Sequence, residues 1–179
     1  MEIMPVKCKN GTCIAGKRLS RKKFSKMIPE HKKFIEPFAG NAWVAKQCLL
    51  DGKCKKENVF VSDINCGVTG HLKKEYGSNY SCGADYKQVI KKHDDKDSFF
   101  FLDPPYPNAC KLGYYGKHCD VNHEELKEEM KKIKGKFIMT TGVDQKKNFC
   151  KDFKCKVVTS KGMFGRELKD LSVSNFWKF

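Results

Sequence analysis

The chain has 179 residues, 40% hydrophobic and 12% aromatic, which suits one domain with a real core. No apolar run approaches the ~20 residues of a membrane helix, and the N-terminal "MEIMPVKCKNGT" lacks the apolar stretch of a secretory signal, so an intracellular protein without membrane attachment is expected. Lys and Arg number 36 against 21 Asp and Glu, a formal +15 that favours a polyanionic partner such as nucleic acid, although a Lys-biased solvated surface would give the same excess.

In chain order, strand and helix signals alternate. "KKFIE" (32–36) reads as a short strand leading into "PFAGN". "AWVAKQCLLDG" (42–52) reads as a helix with Gly52 at its C-terminal cap. "NVFVSD" (58–63) is a β-rich run ending in an acid. "DSFFFLD" (97–103) is a continuous apolar run, the kind of strand covered on both faces. "NHEELKEEMKKIKG" (122–135) is the clearest helix: Asn122 and Glu125 form a capping pair, and Leu126, Met130 and Ile133 share one face. "KFIMT" (136–140), "CKVVTS" (155–160) and "LSVSNF" (171–176) close the chain as strands. The alternation predicts a three-layer α/β/α fold with a mostly parallel sheet and an antiparallel hairpin at the C-terminal end. With no repeat, low-complexity stretch or linker, residues 1–179 are expected to form a single domain.

The ten cysteines (8, 13, 48, 54, 66, 82, 110, 119, 150 and 155) form no CxxC pair, and no histidines join them at zinc spacing, so no metal is expected. Most read as small buried hydrophobes in a reducing compartment; disulfides or a zinc site are the minority alternative.

In a parallel sheet, ligands bind beyond the C-terminal strand ends. Glu36-Pro37-Phe38-Ala39-Gly40 ends the first core strand, Asp63 the second, and Asp103-Pro104-Pro105-Tyr106 the "FFFL" strand, which suggests one shared cleft. Gly40 allows close backbone approach to a ligand, and an acid about 20 residues beyond such a turn grips ribose hydroxyls. No phosphate loop and no complete GxGxxG is present, so the ligand reads as a nucleoside without a pyrophosphate, as in S-adenosylmethionine; a purely structural turn is an equal reading of Gly40 alone. At "DPPY", Asp103 and the Pro104 carbonyl would accept the two hydrogens of an exocyclic base amine. The prolines fix the backbone, and Tyr106 would stack on a base lifted from its helix.

These segments together resemble the Dam-like D12 class of DNA adenine-N6 methyltransferases. "AGKRLSRKKFSKMIPEH" (15–31), "FIEPFAGNAWV" (34–44), "VSDIN" (61–65), "GADY" (83–86), "DPPY" (103–106), "HEEL" (123–126) and "KDLSVSNF" (169–176) match its motifs in order. The resemblance implies a Rossmann-like S-adenosylmethionine-dependent methyltransferase fold and methyl transfer to adenine N6 in DNA. By it, Lys17 would meet the carboxylate of the cofactor's methionine part, which Pro37, Phe38 and Gly40 would line. Asp63 would hold the ribose, Asp85 the adenine amine, and Tyr86 would pack near the adenine ring. The plainer alternatives are a solvated Lys17, a helix-capping Asp85 and a core Phe38. Ala15 and Ala42 stand where the family places glycines, and Asp170 where it usually has Glu. Only 39 residues separate Asp63 from Asp103, so the usual target-recognition domain is expected to be absent, with a protein partner as an alternative source of sequence recognition. Nucleic acid would then be met by Lys111, Tyr114, Tyr115, Lys117 and His118 after "DPPY", by Arg18 and Arg21, and by Asn175 and Phe176. RNA or single-stranded substrates, cytosine N4, or a non-catalytic subunit of a heteromeric enzyme are the competing readings.

Overall fold

The computed structural model describes residues 17–108, 121–161 and 167–177. Helix α1 (Arg21–Met27) precedes β1 (Lys33–Glu36), α2 (Trp43–Leu50) and β2 (Val59–Asp63). Two short helices, α3 (Cys66–Thr69) and α4 (Leu72–Tyr76), lead to β3 (Tyr80–Cys82), α5 (Tyr86–His93) and β4 (Ser98–Leu102). Then come α6 (His123–Lys132), β5 (Lys136–Thr141), α7 (Lys146–Phe149), β6 (Lys154–Lys161) and β7 (Glu167–Ser174).

The strands form one sheet in the order β3-β2-β1-β4-β5-β7-β6. Every pairing from β3 to β5 is parallel, and β7 runs antiparallel to both β5 and β6, as the closing hairpin was expected to do. The chain winds outward from β1 to β3, then returns to place β4 against the other side of β1. That reversal opens a crevice at the C-terminal ends of β1 and β4.

The apolar run at β4 explains the layers. Successive side chains of a strand point to opposite faces. Phe99 and Phe101 therefore pack with Phe24, Val44 and Cys48 under α1 and α2. Phe100 and Leu102 pack with Ile90, Leu126 and Met130 under α5 and α6. All four β4 side chains are fully buried, and each ring contributes about 1.5–3 kcal/mol by leaving water. Phe34 and Ile35 of β1 divide between the same two faces.

Helix α6 starts where expected, with Asn122 Oδ1 accepting from the Glu124 and Glu125 backbone N–H groups at 3.0 and 3.2 Å. The reciprocal half of the capping pair does not form. Glu125 instead ion-pairs with Lys87 of the neighbouring α5, where a full charge competes with a neutral N–H.

The cysteine expectation needs correction. Cys48 is buried and free, as a small hydrophobe should be. Cys66 and Cys82, however, are joined across 16 positions, and so are Cys150 and Cys155 across 5. Sequence spacing could not pair Cys66 with Cys82; β3 does so by lying beside β2, which brings their Cα atoms to 5.2 Å. Cys8, Cys13, Cys110 and Cys119 lie outside the described residues.

Closing a 16-residue loop removes unfolded-state entropy worth about 3 kcal/mol. Cys66→Ser is expected to lower stability by up to that amount under oxidising conditions and by little under reducing ones. Denaturant unfolding with and without a dithiol reductant checks this.

Candidate active site

The crevice has a backbone-built half and a side-chain-built half. The first lies over β1 and β2. The turn after β1 is held down by Ala39 N–H donating to the Ser62 carbonyl at 2.9 Å. Gly40 follows with φ +50° and open space where a Cβ would point, so a ligand can approach its backbone closely. Ala42 adopts the left-handed region at φ 51°, at a cost of about 1–2 kcal/mol for a residue with a Cβ. Asp63 at the end of β2 locks the turn. Its Oδ2 accepts from Gly40 N–H at 2.9 Å, and its Oδ1 from Asn65 N–H at 2.8 Å. Phe38 lies against Tyr86, ring centroids 5.2 Å apart, where both join the core on the α5 side. Burial pushes the Tyr86 phenol well up, so it stays neutral.

Asp85 caps α5, its Oδ1 accepting from Lys87 N–H at 2.7 Å. The plainer expectation for this residue is thus realised, and the carboxylate keeps further acceptor capacity beside this bond. Glu36 is buried beneath the crevice, with its Oε2 accepting from Ala45 N–H at 3.1 Å. Burial raises its carboxyl well above the ordinary value; the Ala45 bond pulls it down and the nearby Asp103 charge pushes it further up.

The second half centres on Asp103, immediately after β4. Thr140 Oγ1 of β5 donates to Asp103 Oδ1 at 2.6 Å. Lys17 Nζ also sits on that oxygen at 3.0 Å, and reaches Asp170 Oδ1 at 3.2 Å. It donates as well to the Tyr106 hydroxyl, which in turn donates to Asp170 Oδ1 at 2.7 Å. Among the described residues no hydrogen bond falls on Asp103 Oδ2. His123 Nε2–H donates to the Pro105 carbonyl at 2.9 Å, so the first residue of α6 pins the rigid Pro-Pro turn. A cavity of about 290 Å³ opens beside this cluster, lined by Lys17, Leu19, Tyr106, Ser160, Leu168 and Asp170, among others.

Burial by itself would lower the Lys17 ammonium, but the surrounding Asp103, Tyr106 and Asp170 more than reverse this and hold it well above its ordinary value. Burial, opposed by Lys17, drives the Tyr106 phenol the same way. The cluster is therefore a cation, two carboxylates and a neutral phenol.

Lys17, expected at the cofactor's methionine part, sits on Asp103 and Asp170 beside the crevice, where a buried ammonium is held by the nearest anions. Arg18 and Arg21 stack over Trp43, at 5.5 and 5.4 Å from its ring, and Arg21 Nε also donates to Gln47 Oε1 at 3.2 Å. Asn175 and Phe176 are corrected away from the nucleic-acid interface. Antiparallel β7 carries them to the far end of the sheet, where Asn175 bonds the Phe137 N–H and the Gly135 carbonyl, and Phe176 packs on Phe99. Lys111, Tyr114, Tyr115, Lys117 and His118 lie outside the described residues. Sequence reasoning missed Thr140, Trp43 and the bonds of Asp170. Thr140 carried one signal: a hydroxyl residue at the C-terminal end of an otherwise apolar strand.

Residues 71–163 match the family described as D12 class N6 adenine-specific DNA methyltransferase. No curated protein matches the chain in sequence. Among solved structures, a putative tRNA (m1A22) methyltransferase from Streptococcus pneumoniae superposes with a TM-score of 0.57 at 9% identity, covering 88% of this chain and 70% of its own. The precorrin-6y C5,15-methyltransferase of Geobacter metallireducens GS-15 gives 0.51 at 13% identity, covering 89% and 87%. A putative RNA methyltransferase from Pyrococcus horikoshii gives 0.51 at 13%, covering 87% and 79%. At these identities the likeness is one of fold: that of the Rossmann-like S-adenosylmethionine-dependent methyltransferases.

The cofactor is S-adenosylmethionine, and the backbone-built half of the crevice fits it. The open approach at Gly40 lies next to the Asp63 carboxylate, an anionic acceptor suited to ribose hydroxyls. Asp63→Ala is expected to weaken S-adenosylmethionine binding by about 1.5–3 kcal/mol, through loss of charge-assisted bonds. Calorimetric titration reads this, and unchanged affinity would remove Asp63 from the site. Glu36 yields a pH prediction. Between its ordinary 4.5 and its raised folded value, the folded chain keeps a proton that the unfolded chain releases, so stability falls as pH rises. Glu36→Gln keeps the acceptor for Ala45 and is expected to exceed wild type in stability at neutral pH, the gap closing below 4.5. Denaturant midpoints across pH test it.

Proposed function

Since the chain belongs to the D12 class N6 adenine-specific DNA methyltransferase family, we propose that it transfers a methyl group to the exocyclic N6 amine of adenine in DNA. The observation that carries this is the Asp103 carboxylate at the crevice between β1 and β4, gripped on Oδ1 and unpartnered on Oδ2 among the described residues. S-adenosylmethionine supplies an electrophilic methyl group. An amine conjugated to a base ring is a weak nucleophile until its hydrogens are drawn toward acceptors. Asp103 Oδ2 accepts one hydrogen, and the Pro104 carbonyl, which makes no hydrogen bond among the described residues, accepts the other. Lys17 Nζ bonds the Tyr106 hydroxyl at the end of the ring, and a face of the ring is proposed to take the base. The proton released on methylation passes to Asp103 and then to solvent. Most of the catalysis is orientation and charge stabilisation. The basic, aromatic stretch holding Lys111, Tyr114, Tyr115, Lys117 and His118 is proposed to meet phosphates and stack on flanking bases.

Labelled S-adenosylmethionine offered with duplex DNA, single-stranded DNA and RNA tests the proposal, with mass spectrometry of the product nucleosides. N6-methyladenine in DNA is expected. Asp103→Ala should abolish it while leaving cofactor affinity within about twofold of wild type, because the carboxylate acts on the amine. Label found only on cytosine, or only in RNA, would overturn the substrate assignment.

A further inference from the structure

Asp103 and Tyr106 are each held by a strand other than their own. Thr140 belongs to β5 and bonds Asp103; Asp170 belongs to β7 and bonds the Tyr106 hydroxyl. The two strands pair with each other, Thr141 standing opposite Leu171. Both bonds thus spring from neighbouring points on one ladder, at the C-terminal end of β5.

Thr140 is fully buried, and Phe137, Ile138 and Met139 before it are fully buried and apolar. The hydroxyls of Thr141 beside it and of Ser172 opposite are buried without a partner among the described residues, whereas that of Thr140 has one, and a valine of the same shape would suit the strand equally well. Core packing therefore gives no reason for a hydroxyl; the carboxylate 2.6 Å away does. Thr140 and Lys17 both bind Oδ1. Two grips on one oxygen fix the rotation of the carboxylate about its last side-chain bond, and that rotation decides where Oδ2 points. Tyr106 is fixed similarly: its hydroxyl is tethered to Asp170, and the tether sets the tilt of the ring.

We propose that Thr140 and Asp170 are positioning residues: Thr140 turns the Asp103 carboxylate so that Oδ2 meets the target amine, and Asp170 holds the Tyr106 ring in its stacking plane. The proposal rests on methyl transfer to a base amine, and holds whichever nucleic acid carries that amine.

The test uses the full chain with Thr140→Val, Thr140→Ser, Tyr106→Phe, Asp170→Ala and the last two combined. Each is measured for unfolding midpoint, S-adenosylmethionine affinity and single-turnover methyl transfer to the nucleic acid that wild type prefers among duplex DNA, single-stranded DNA and RNA. Thr140→Val should slow transfer about 10- to 100-fold, as misplaced reacting groups do, with cofactor affinity within about twofold of wild type. Thr140→Ser should restore most of the rate. Tyr106→Phe and Asp170→Ala should each slow transfer, and the double variant should lose less than the product of the two single losses, since both remove the Tyr106–Asp170 bond. A Thr140→Val chain with near-wild-type transfer, or a Ser variant as slow as Val, overturns the role of Thr140. Losses that multiply in the double variant overturn the role of Asp170. A wild type that methylates none of the three nucleic acids overturns the functional reading itself, and this proposal with it.

Discussion

One buried ammonium holds the side-chain-built half of the crevice together. Lys17 precedes α1, yet its charge lies among Asp103 after β4, Tyr106 three residues further on and Asp170 in β7. Breaking a buried ion pair by removing one partner typically costs 3–5 kcal/mol, because the other charge is left uncompensated. Here one cation faces two carboxylates, so its loss would leave like charges side by side. The segment before α1 is thus tied to the far half of the sheet by electrostatics, while Phe24 of α1 packs on Phe101 from the same side.

The crevice divides its labour by chemistry. On the β1–β2 side, shape comes from backbone: a glycine with positive φ, an alanine forced into the same region, and a carboxylate bonded to two N–H groups. Such a surface is set before any ligand arrives. On the β4–β5–β7 side, shape comes from side chains that bond each other, and each bond fixes a rotation that the backbone leaves free. Beneath both halves lies Glu36, a buried carboxyl whose ionisation the fold resists.

Legibility followed the period of each signal. The β4 run and α6 carried dense local patterns: β4 formed within one residue of its expected bounds, and α6 began one residue in and ended three residues short. β3 was not legible: three residues, half-buried or exposed at the sheet edge, carry no apolar alternation. Within the site, "DPPY" and the acid after β2 were readable because their residue types are unusual at strand ends. Asp85 was equally readable as a cap, and the cap is what formed. Asn175 and Phe176 misled because a motif's neighbourhood in sequence is not its end of the sheet; an antiparallel strand carries its last residues away from the crevice.

By itself the sequence determined the alternating layers, the apolar strand at their centre, and which acids would stand at strand ends. These follow from local composition and from the two-residue and 3.6-residue periods of strand and helix. Tertiary structure decided everything that needed a distance between remote positions: Lys17 against Asp103 and Asp170, Thr140 against Asp103, and Cys66 against Cys82. The physical reason is the same in each case. A hydrogen bond, an ion pair or a disulfide depends on a few ångströms between atoms, and only the order and direction of the strands brings residues 16 to 153 positions apart within that reach.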